Sequence, residues 1–220
     1  MKSDELIEAL AKDGKPVHPL RSPLVRMVTW MACAAPVVGV ITIAMGLRPD
    51  LPELLVDARW VAEQGFALIT ALFAGLAAFH LSVPGHNARW VALPIVSALG
   101  WLLLLGAGCV RDISQSGMAA ISLVPEPECL FLISLIGLAP AAILLRMVFQ
   151  GVPIFPARTL FAAALAAAAL GAFGLRLVHD QDLGIMVLVW QFGSVALVAA
   201  IGWIAGPFIL RWPKPGWSKQ

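Results

Sequence analysis

Six runs of apolar residues, at 27–47, 61–83, 91–110, 129–149, 159–178 and 184–210, dominate this chain of 220 residues. Each reaches the roughly 20 residues that a helix needs to cross the hydrocarbon core of a bilayer. None alternates in polarity as the strands of a membrane barrel do. In lipid the backbone must satisfy its own hydrogen bonds, and a single segment does that only as a helix. The expected fold is therefore all-α, an integral membrane bundle of six transmembrane helices over residues 27–210. The sixth run is long enough that it must tilt or extend past the interface. Composition agrees, with 60% of residues hydrophobic and 13% charged, about half the charged share of a soluble domain.

Polar connectors separate the runs: RPDLPELLVDAR, PGHNAR, RDISQSGMAAISLVPEPE, QGVPIFPAR and HDQD. An even number of spans puts both termini on one side. That side holds eleven of the fifteen Lys and Arg residues; Arg48, Arg59, Arg111 and Arg176 lie opposite. The bias predicts cytoplasmic termini. Trp30, Trp90 and Trp212 are then expected at the inner interface and Trp60 at the outer one. Near helix ends, Glu63, Gln64, Arg176, Arg146 and His80 are expected to snorkel or sit at the interface, while Gln191 lies deeper. Pro36, Pro94, Pro140 and Pro207 fall in or near spans and are expected to kink them. The small residues of FAAALAAAALGAFG, at 161–174, suit close helix packing. Cys33, inside the first run, reads as buried filler.

Several functions are excluded. A net charge of +2 argues against a nucleic-acid partner, and three cysteines are too few for a disulfide scaffold. No HExxH or GxSxG motif and no acid pair facing a histidine suggests an enzyme. His18, His80, His86 and His179 fall in different segments on both sides. A run of intramembrane acids, as in a proton path, is also missing. A small six-span transporter or metal-binding membrane protein remains the alternative to a regulatory role. The first 25 residues are polar and broken by Pro16, Pro19 and Pro23, unlike a signal peptide. They are read as a cytoplasmic segment, 1–26, matched by a cytoplasmic tail at 211–220.

Within that segment KSDELIEALAKD reads as a short amphipathic helix. Ser3 or Asp4 suits the N-cap, and Gly14 suits the stop. Leu6, Ile7, Leu10 and Ala11 share one face, with Asp4, Glu5 and Glu8 beside it. About three turns of helix are marginal alone in water, so a partner must cover the stripe. A lipid surface is a poor candidate, because the helix is acidic and lacks an aromatic. The groove of a soluble cytoplasmic protein is a better one.

On the opposite side, Cys109 ends the third run, Cys129 begins the fourth, and His179, Asp180 and Asp182 follow the fifth. Two thiols in an oxidising compartment can form a disulfide. Two thiolates with an imidazole also make a soft ligand set for zinc, copper(I) or cadmium.

The order of short stretches along the chain carries a resemblance. SDELIEALAKD comes first, then GLRPDL (46–51), SVPG (82–85), ECL (128–130), LLRMVFQGVPIFP (144–156), VHD (178–180), LVW (188–190) and GPFILRW (206–212). This resembles the NrsF family, negative regulators of a sigma-F-type factor. The resemblance implies a six-span anti-sigma factor of the bacterial inner membrane. Its N-terminal segment would hold an extracytoplasmic-function sigma factor, with Leu6, Ile7 and Leu10 packed against it and Asp4, Glu5 and Glu8 facing its basic residues. No cofactor is implied beyond a regulatory metal ion at the periplasmic face. Family members commonly carry a cysteine where Cys129 stands and a second just after a histidine, where this chain has Asp180. Three possibilities follow: Cys109 substitutes, His179 and Asp180 bind a metal with Cys129, or the sensing chemistry is lost.

Overall fold

Each apolar run becomes one long helix in the structure, a computed structural model that describes residues 7, 8, 11, 19–117, 125–180 and 183–210. The helices are α1 (Pro23–Met45), α2 (Ala58–Leu81), α3 (Ala88–Ser116), α4 (Glu128–Val148), α5 (Pro156–Leu175) and α6 (Gly184–Ile209). All six are long and apolar enough to cross a membrane, and there is no strand among the described residues.

Local chemistry sets the ends. Ser22 accepts from the Val25 N–H, and Pro23 opens α1, where its missing N–H is not needed. The helix therefore starts before the apolar run and takes Arg26 into its first turn. It stops at Gly46, whose φ of 93° favours glycine. Asp57 caps α2 by accepting from the backbone of Arg59 and Trp60. Helix α3 opens with a 3-10 turn, Ala88–Val91, and continues past the apolar run to carry Asp112. In α6 a π-helical stretch, Val187–Phe192, separates the first turn from the rest.

The Ala- and Gly-rich α5 is the most enclosed helix and packs against α2, α4 and α6. A Cβ at Gly137 of α4 would sit 2.8 Å from the Ala167 carbonyl oxygen, and one at Gly202 of α6 would sit 2.8 Å from that of Leu160. Small residues let these backbones touch, as helix association in lipid requires. The least enclosed helix is α1, which lies against α4 and α2. Outside the bundle Val40, Leu103, Leu138 and Ile204 are exposed, an apolar surface suited to lipid.

Two expectations are corrected here. Trp30 is fully buried rather than interfacial: its ring lies over Gly75, and its Nε1 donates to the Pro140 carbonyl at 2.9 Å. Trp60 is buried too. Trp30 thereby joins α1 to α2 and α4. Cys33 is exposed, because α1 turns only one face to the bundle and Cys33 lies off it.

Candidate functional site

The helix ends form two polar clusters. One joins the far end of α1 to the connections before α4 and after α5. Leaving α5, the chain turns so that the N–H groups of Val178 and His179 both donate to the Leu175 carbonyl. Arg48, buried just beyond α1, holds this turn. Its backbone N–H donates to the Leu177 carbonyl at 3.1 Å, and its Nη1 donates to the His179 carbonyl at 3.2 Å. Its Nε and Nη2 grip both oxygens of Asp50 at 2.7 Å each. These hydrogen bonds from Arg48 hold the Asp50 carboxyl below the usual carboxylate range. The fork therefore persists at neutral pH and is lost only as pH falls through that lowered value.

Held this way, the His179 ring reaches Glu126, with Nε2 3.6 Å from Oε2. Cys129, in the first turn of α4, donates its Sγ–H to the same oxygen at 3.8 Å. The three ligand atoms lie within 4.8 Å of one another. Met186, Val187 and Gln191 of α6 close the small cavity beside them. Cys129 is buried, while Glu126 and His179 are partly open to the outside.

The structure thus unites Cys129 and His179 but leaves the other expected sensor residues elsewhere. Cys109 is buried where α3 meets α6; a Cβ at Gly184 would sit 2.8 Å from its backbone nitrogen. Asp180 is exposed and outside the cluster. All three cysteines are free thiols. Asp182 lies outside the described residues. The acid that joins Cys129 and His179 is Glu126, which the sequence reading passed over. Its signal was the Glu126-x-x-Cys129 spacing in PEPEC, which places both at one helix start.

A charged network lies at the same end. Glu63 accepts from Arg59 Nε at 2.9 Å and from Arg176 Nη2 at 3.1 Å. Arg59 also pairs with Asp112 at 3.2 Å, and the other Asp112 oxygen accepts from the Gly184 N–H that opens α6. Gly108 leaves room for the Arg59 guanidinium to lie on α3. Glu63 and Arg176 were expected to snorkel; both are buried because each finds its counter-charge inside the bundle. Gln64 is also turned inward and donates to the Phe173 carbonyl at 3.1 Å.

At the opposite end Arg26 is the anchor. It donates to Ser82 Oγ at 3.0 Å and to the Met147 carbonyl, and lies 4.7 Å over the Phe79 ring. The Val152 N–H donates to the Ser82 carbonyl at 2.8 Å. The SVPG and FQGVP stretches therefore meet beside the first turn of α1. Of the residues expected to hold a partner, Ile7 and Glu8 are helical and exposed. Asp4, Glu5, Leu6 and Leu10 lie outside the described residues.

A family model described as negative regulator of sigma F matches residues 10–212. No curated protein and no solved structure gives a significant match. The match takes in all six helices and both polar clusters, and the chain belongs to the NrsF family.

Proposed function

We propose that the chain is a membrane-bound anti-sigma factor of the bacterial inner membrane. Its N-terminal segment faces the cytoplasm with both termini and holds an extracytoplasmic-function sigma factor away from RNA polymerase. An envelope, metal or oxidative signal weakens that grip. The observation that carries this reading is the family match over nearly the whole chain. The exposed, helical Ile7 and Ala11 support it, since they belong to the apolar stripe that a partner must cover. The family is one of regulators, not enzymes. A transporter reading gains little from Glu63 and Arg176, whose charges are matched to each other at 3.1 Å.

The first test is a pull-down from detergent-solubilised membranes, comparing the full chain with one lacking residues 1–20. A sigma factor is expected with the full chain only. Recovery with neither removes the anti-sigma reading; recovery with both moves the grip to another part of the chain.

The route between the two ends runs through α1. Arg48 ties its far end to the His179 turn, Arg26 seats its near end, and the N-terminal segment precedes that near end in the chain. A signal that moves the His179 turn biases two seatings of α1, each with its own grip on the sigma factor. Arg48→Met keeps the backbone bond to Leu177 and loses the side-chain bonds. Repression in unstressed cells should hold, while release on adding Cd2+ should fall on the order of tenfold, a typical coupling between sites. A sigma-dependent reporter measures both, and wild-type release in the variant removes Arg48 from the route.

A further inference from the structure

We propose that Glu126, Cys129 and His179 form a binding site for one thiophilic divalent cation, Zn2+ or Cd2+. Its use as the receiver of the signal rests on the anti-sigma reading above; the binding itself does not.

Donor chemistry selects the cation. One thiolate, one imidazole and one carboxylate make a borderline-soft set that suits Zn2+ and Cd2+, whereas Mg2+ and Ca2+ seek oxygen alone. The geometry is close to what such an ion needs. Ligands at about 2.0–2.3 Å around a tetrahedral centre stand about 3.3–3.8 Å from one another. Glu126 Oε2 is 3.6 Å from His179 Nε2 and 3.8 Å from Cys129 Sγ. The third pair lies within 4.8 Å, so it closes by about an ångström at most. The small cavity beside these three groups is closed by Met186, Val187 and Gln191.

Charge also fits. On binding, the Cys129 thiol loses its proton to solvent and its sulfur lone pair forms the bond to the metal. His179 binds as the neutral imidazole and Glu126 as the carboxylate. Two negative ligands and a dication leave a neutral centre, which suits the edge of a lipid-embedded bundle. Glu126 and His179 are partly open, so the ion arrives from the aqueous side. Arg48 fixes the backbone at His179 through its carbonyl, which holds the turn that carries the imidazole.

The test uses the purified full chain in detergent, titrated with Cd2+. Ultraviolet sulfur-to-cadmium absorption and calorimetry are read together. One equivalent should bind with the absorption band, Zn2+ should compete, and Mg2+ should not. Cys129→Ser should abolish the band. Glu126→Gln and His179→Ala should each weaken binding at least tenfold. Cys33→Ser and Cys109→Ser should change neither readout. A band that survives Cys129→Ser or disappears with Cys109→Ser overturns the site. So does wild-type affinity in both Glu126→Gln and His179→Ala, which would leave only a lone reactive thiol. Circular dichroism shows that each variant is folded. The sigma-factor pull-down in metal-free buffer is scored separately, so failure of cation binding and failure of the anti-sigma reading are distinguishable.

Discussion

Glu63→Leu should destabilise the bundle by about 3–5 kcal/mol, the usual effect of removing one partner from a buried ion pair. Glu63 sits between two guanidinium groups, at 2.9 Å from Arg59 and 3.1 Å from Arg176. Arg59 keeps Asp112 in the variant, but buried Arg176 loses its hydrogen bond to the Glu63 carboxylate. For a chain of this size that loss corresponds to a fall in Tm of about 6–20 °C in detergent. The double variant Glu63→Leu, Arg176→Met should recover part of it, because the buried guanidinium is removed along with its carboxylate. A Tm for Glu63→Leu within error of wild type would show that the pair is not structural.

The second large effect is on regulation. Leu6→Asp combined with Leu10→Asp should free the sigma factor, raising a sigma-dependent reporter to the level of cells without the regulator. Each buried leucine contributes about 1.5–3 kcal/mol to an interface that covers it. Two such losses weaken binding by about 10²–10⁴-fold, before counting the cost of burying two carboxylates. Both positions precede α1, so the amount of protein in the membrane should not change. Glu5→Lys and Glu8→Lys should act more weakly and with salt dependence, because such charges govern encounter more than affinity. A reporter still repressed in the double Asp variant would show that this helix is not the holding surface.

The sequence made the six helices legible because lipid imposes two demands at once, length and apolarity. It did not show which way their polar residues turn. Glu63 and Arg176 lie near helix ends, where solvent and interior are both within reach, and only the meeting of α2 with α5 selects the interior. Trp30 followed the same logic: Gly75, on another helix, leaves the space its ring occupies. Cys129 and His179 were visible as ligand types. Their acidic partner was not, because Asp180 stands next to His179 in sequence while Glu126 lies three residues before Cys129. The start of α4 turns Glu126 inward, and the turn after α5 leaves Asp180 exposed. Arg48 stood in plain view in GLRPDL, but its hold on the His179 carbonyl joins positions 131 residues apart.

The bond from Trp30 to the Pro140 carbonyl reaches across 110 residues, and that distance sets an order of events during synthesis. When α1 first enters the membrane, the carbonyl that will receive its indole N–H does not yet exist. Its seat is complete only once α4 has been inserted and drawn against it. Docking of α1, the helix that carries the N-terminal segment, is therefore a late step in assembly. A nascent or prematurely terminated chain presents that segment on an unseated helix, and the regulator matures only after its fourth helix is in place.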